Sequence, residues 1–132
     1  MIDYIELGGT RRPVKFGLNT LRIFTKQFKI SLEKLGNLGE MTFDVLLELL
    51  FAGHKGGCVH EGLKLELTID QFCDALDEKY KVEEEVITEV DGKEVKNKVT
   101  VTKTKLDEML NIFADQFGGG ESEGNQEAPL EG

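Results

Sequence analysis

Tryptophan is absent, proline and histidine occur twice each, and cysteine occurs only at Cys58 and Cys73. Two thiols make no disulfide framework. No run approaches the roughly 18 consecutive apolar residues that a membrane span requires, so no membrane partner is expected. The opening residues Met1-Ile2-Asp3-Tyr4 lack the basic and apolar regions of a secretory signal. These absences point to a small cytosolic domain.

Residues able to do chemistry are equally sparse. The soft metal ligands are His54, Cys58, His60 and Cys73. His-x3-Cys-x-His is not a standard zinc spacing, and Cys73 falls on an apolar helical stripe, where it fits as a small core residue. No Gly-x-Ser-x-Gly surrounds Ser31 or Ser122, and neither has a histidine with a local signature. Asp74 and Glu78 lie four apart on a solvated face, unlike two buried carboxylates with divergent acidities. The glycines at 8–9, 56–57 and 118–120 fit no phosphate-cradling pattern. The expectation is therefore no enzyme, no cofactor and no metal.

What is present suffices for one folded domain. The chain has 132 residues, 39% hydrophobic and 31% charged, with eight phenylalanines and two tyrosines. That much apolar material argues against wholesale disorder. The net charge is −9, unevenly spread: residues 1–35 carry +4 and residues 36–132 carry −13. An acidic body repels a phosphate backbone, and the basic group Arg11, Arg12, Lys15, Arg22, Lys26 and Lys29 has no stacking aromatics outside the core stripe. No nucleic-acid partner is expected. A basic protein surface, or solubility alone, accounts for the acidity.

The pattern predicts an α+β fold with an N-terminal β-hairpin, about four helices and an inserted β-hairpin near residues 82–103. Gly8-Gly9 is a two-residue turn signal between residues 2–7 and 10–16, with Pro13 requiring an edge or an irregularity. A helix follows from Leu18 to Phe28, with Leu18, Leu21, Phe24 and Phe28 on one face and Arg22, Lys26 and Lys29 opposite. Ser31 caps a short turn, Leu32 to Leu35. Thr42 is the expected N-cap of an almost wholly apolar helix reaching Lys55, ended by Gly56-Gly57. Thr68-x-x-Gln71 is a capping box, opening a helix striped by Ile69, Phe72, Cys73, Leu76 and Tyr80.

The period then switches to two. Asp91-Gly92 fixes a hairpin in which Val90 pairs with Lys93, Thr88 with Val95, Glu84 with Val99, Val82 with Val101 and Glu85 with Lys98. Polar on much of both faces, this hairpin is expected to project from the body. A last helix starts at Thr104, with Asp107 reaching back, and carries Leu106, Met109, Leu110, Phe113 and Phe117. The expected domain is 1–117, followed by an acidic, glycine-rich, disordered tail over 118–132.

This order of elements resembles the small tail assembly chaperones of long-tailed, siphovirus-type bacteriophages. The resemblance covers roughly residues 2–80. It rests on Pro13-Val14-Lys15-Phe16-Gly17-Leu18 leading into the first helix, Ser31-Leu32-Glu33-Lys34-Leu35, the apolar helix ending Leu50-Phe51-Ala52-Gly53-His54-Lys55, and Leu67-Thr68-Ile69-Asp70-Gln71-Phe72. The 82–103 hairpin departs from the family pattern, which runs on into helix. The resemblance implies a non-enzymatic role: binding the tape measure protein, helping to recruit tail tube protein, acting in the host cytoplasm and leaving before the virion matures. It also implies that a longer, frameshifted form is common. The competing class is a structural tail or connector protein retained in the particle.

The apolar helix offers two readings of its second face. Phe43, Leu46, Leu47 and Leu50 share one side, and Val45, Leu49 and Ala52 another. Either both sides are core, or Val45, Leu49 and Ala52 are exposed and meet the client or a second copy of the chain.

Overall fold

The computed structural model describes residues 2–118; the expected tail beyond Gly118 lies outside the described residues. The fold is α+β, with two separate antiparallel hairpins and five helices. Strands β1 (Asp3–Leu7) and β2 (Thr10–Val14) meet at Gly8-Gly9, whose φ values of 60° and 81° are those of a primed turn. Ile5, Leu7 and Val14 bury the inner side of this hairpin. Each strand of a two-stranded sheet is an edge, so Pro13 sits in β2 without breaking it.

Helix α1 (Leu18–Phe28) buries Leu21 and Phe24, and Lys29 ends it in the left-handed conformation. The short α2 (Leu32–Leu35) and a 3-10 turn (Leu38–Glu40) lead to α3 (Phe43–Glu61). Thr42 caps α3, its hydroxyl accepting from the Val45 N–H. The helix does not stop at Gly56-Gly57. It continues to Glu61, where Gly62 at φ 68° turns the chain out.

Packing explains the correction. Gly53, Gly56 and Gly57 form an i, i+3, i+4 patch that lets α3 lie directly on β2 and the start of α1. A Cβ on Gly57 would stand 2.5 Å from the Pro13 carbonyl carbon, and one on Gly56 would stand 2.5 Å from both the Lys15 carbonyl oxygen and Thr20 Oγ1. On Gly53 it would enter the Phe16 ring at 2.3 Å. The close approach is fixed by two bonds: the Lys15 N–H donates to the Gly53 carbonyl (2.9 Å), and His54 Nδ1 donates to that of Pro13 (2.9 Å).

Helix α3 is central, packing against β2, α1, α4 and α5. Three consecutive residues, Leu49, Leu50 and Phe51, are buried on it. Helix α4 (Ile69–Leu76) opens with the full Thr68–Gln71 capping box and ends at Leu76. Tyr80 is therefore not on the α4 stripe. It lies in β3 (Lys79–Val90), where its hydroxyl donates to Glu108 of the last helix at 3.1 Å.

Strand β4 (Lys93–Thr104) completes a ribbon longer than residues 82–103, with every expected cross-strand pair in register around Asp91-Gly92. Every residue from Glu85 to Thr100 is exposed, so the outer ribbon stands clear of the core. Helix α5 (Lys105–Gly118) follows directly, with Thr104 and Asp107 exchanging side-chain-to-backbone bonds at its start. Met109 and Phe113 are its core residues. Near its end Gln116 clamps the first hairpin: its amide nitrogen donates to Asp3 Oδ2 (2.8 Å) and to the Val14 carbonyl (3.0 Å), and its oxygen accepts from the Phe16 N–H (2.8 Å).

Candidate functional site: a groove between two helices

Helices α1 and α3 meet where Gly56 abuts Thr20, and residues of both line an open groove of about 500 Å³. Its floor is Phe24, Phe28 and Ala52, and its apolar rims are Leu18, Ile23 and Val59. Those rim residues are unusually bare for their type: Leu18 is 87% exposed, Val59 81% and Ile23 49%. Isolated apolar residues on a surface are ordinary, but three lining one concavity form a patch of the kind that marks contact sites. Polar groups stand at the margins: Lys15, Lys55, Glu48, Gln27 and His60, with Lys15 Nζ donating to His60 Nδ1 at 3.1 Å.

The three residues considered for partner contact separate here. Ala52 lines the groove. Val45 is half-buried and packs against the core. Leu49 is 0% exposed, so the core alternative holds at that position. A residue on the supposed core side, Phe43, is instead 62% exposed and borders a second, smaller depression of about 270 Å³ with Leu47, Cys73, Leu76 and Leu106.

Leu18, Ile23 and Val59 were not anticipated as a surface. Leu18 fits the α1 stripe by spacing, but it stands in the first turn with its side chain 87% exposed. Val59 is seven residues after Ala52, hence on the same face by helical geometry. It belongs to the groove only because α3 passes through its glycines.

The histidine and cysteines sit apart from the groove floor. His54 is buried and stacks on Phe72 with ring centroids 5.9 Å apart. Because Nδ1 must donate to the Pro13 carbonyl, Nε2 is the acceptor, facing the Cys58 thiol at 3.8 Å. Burial pushes both the Cys58 and Cys73 thiols up, which favours inert, protonated sulfur. Among the described residues no group of three or more His, Cys, Asp or Glu side chains is placed to hold a metal. No described helix is long and apolar enough to cross a membrane.

Burial also lowers the pKa of His54, with the Pro13 bond opposing and Arg12 assisting. The unfolded chain therefore takes up a proton at His54 before the folded chain does. Stability contributed by neutral His54 is fully present above its ordinary value of 6.5 and is lost as pH falls below it. Urea midpoints at pH 7.5 and at about pH 5.5 should differ in that direction. His54→Gln should flatten this slope; an unchanged slope in that variant places its origin elsewhere.

No family model, curated protein or solved structure matches the chain.

Proposed function

We propose that this protein is a non-enzymatic tail assembly chaperone of the siphovirus type, which holds a helical stretch of the tape measure protein in the α1/α3 groove. The supporting observation is the groove itself. Two helices present exposed Leu18, Ile23 and Val59 around a concave apolar floor, the geometry by which one amphipathic helix accepts another. The acidic body keeps such a surface soluble, and the resemblance over residues 2–80 supplies the client. On this reading the protein works in the host cytoplasm, recruits tail tube protein, and is absent from the mature virion.

The test is co-expression with tape measure fragments. Leu18→Asp with Val59→Asp changes only exposed positions, so folding should shift by no more than about 0.5 kcal/mol each. The folded double variant should lose the ability to keep the fragment soluble. If it retains the fragment fully, the groove is not the client site. Finding the protein in purified virions would favour the structural tail or connector role instead.

A further inference from the structure

The register of the β3–β4 ribbon sorts its side chains onto two unlike faces. Val82, Val86 and Val90 of β3 share one face with Val95, Val99 and Val101 of β4. The opposite face sets Glu83, Glu85 and Glu89 beside Lys96 and Lys98. Alternation of this kind is the pattern of a sheet with one covered side. The body leaves much of it bare: Val86, Val90, Val95 and Val99 are between 37% and 54% exposed. A bare two-stranded ribbon is marginal in water, so the valine face calls for a cover.

Charge and size point to what covers it. Residues 79–104 hold six lysines and six acids, so the ribbon is neutral and the net −9 of the chain arises outside it. Two copies that meet along their ribbons bring no net charge into contact. Within the valine face Glu84 is paired with Lys103 at 2.9 Å, and Lys93, at the tip, is the face's remaining charge. The stretch between them is uncharged, so the centre of the face can oppose its own copy without repulsion. By strand geometry this free part is about 25 Å by 10 Å. Two such faces bury on the order of 1,000 Å² between them, the lower bound for a specific association. The arm is also held at its root. The Lys105 N–H donates to the Glu78 carbonyl (3.0 Å), the Tyr80 hydroxyl donates to Glu108, and Lys105 stands over the Tyr80 ring at 5.0 Å. A fixed arm loses little freedom on pairing.

We propose that two copies of the chain dimerise through their ribbons, each valine face covering the other. Identical ribbons match in length and twist, and the charged faces then point outward to solvent. The contact is isologous, so it closes at two copies. It lies apart from the α1/α3 groove and does not rest on the chaperone reading.

Sedimentation equilibrium of the full chain from about 10 μM to about 500 μM tests this. Monomer and dimer should exchange with a midpoint on the order of 100 μM, the weak class expected for this area. Raising salt from about 0.05 M to about 0.5 M should strengthen the dimer, since screening relieves repulsion between two acidic bodies. Val86→Lys with Val99→Lys should give a monomer at every concentration. Val86→Thr with Val99→Thr keeps β-branching and should weaken the dimer at least about tenfold, because four methyl groups leave the contact. Ile87→Thr, on the charged face, should leave it unchanged. Circular dichroism checks folding; where the lysine variant has lost its ribbon, the threonine pair decides.

A monomer throughout the range overturns the proposal. So does a dimer indifferent to the threonine pair, one that Ile87→Thr dissociates, or one that salt weakens. A mass that climbs past two copies shows edge pairing between β3 of one copy and β4 of the next, and a dimer lost in Leu18→Asp belongs to the groove. Either result rejects the ribbon contact. A monomeric chain whose capture of a tape measure fragment is lost in the threonine pair assigns the valine face to that client instead.

Discussion

Gly57→Ala should destabilise the protein by about 2 kcal/mol, against the sign that helix propensity alone requires. Alanine in place of a mid-helix glycine gains about 1 kcal/mol in an open environment. At position 57 the new Cβ would lie 2.5 Å from the Pro13 carbonyl carbon and 2.6 Å from its oxygen. Backbone cannot rotate aside as a side chain can, and this carbonyl is also held by His54. Overpacking at the upper end of its usual range, about 3 kcal/mol, outweighs the propensity gain. The thermal midpoint should fall by roughly 8 °C for a domain of this size. Gly39→Ala is the control: its Cβ would meet only Asn37 Oδ1, at 3.6 Å, and its midpoint should stay near that of the parent. A Gly57→Ala protein more stable than the parent would mean that α3 and β2 stand further apart than described.

Leu49→Asp should leave no folded protein at 25 °C. Leu49 is fully buried in the central helix, and among the described residues the buried polar or charged side chains are His54 and Lys105. An aspartate there either ionises without a partner or takes up a proton and still displaces a well-packed leucine. Either route exceeds about 4 kcal/mol, a large share of the stability of a small domain. Val59→Asp, nearly three turns further along the same helix, should remain folded. Far-ultraviolet circular dichroism and urea titration distinguish the two; similar midpoints for both would require α3 to be rotated about its axis.

Where a structural rule is local, the sequence was enough to read it. Asp91-Gly92 demands a primed turn, and a strict period of two then leaves one register, so all five expected pairs across β3 and β4 occur. Thr68 with Gln71 and Thr104 with Asp107 are reciprocal caps that depend on a four-residue window. Gly56-Gly57 failed for the opposite reason. The same residue that ends helices also permits close approach, and the deciding atoms belong to Pro13 and Lys15, some forty residues earlier. Tyr80 satisfied both the helical stripe through Leu76 and the alternation that starts the ribbon, and the end of α4 at Leu76 decided for the strand.

The groove was legible only in part. A helix apolar almost all round does not indicate which of its sides finds a neighbour, so Leu49 and Ala52 were indistinguishable before the partners of α3 were known. The basic bias of the first third was visible as composition, but not that Arg12 would meet Glu66 and Arg11 the Tyr4 ring.

The amide of Gln116 has a consequence for the order of events during synthesis. It satisfies Asp3, Val14 and Phe16, groups separated from it by 100 to 113 residues. Closing contacts of such sequence separation is entropically costly and comes late. While the ribosome is still making the ribbon, the first hairpin lacks the α5 cover over Phe16, which Phe113 meets edge-on at 4.9 Å. The nascent chain therefore presents unfinished apolar surface until nearly all of the domain has emerged, and then closes its two ends together in one step.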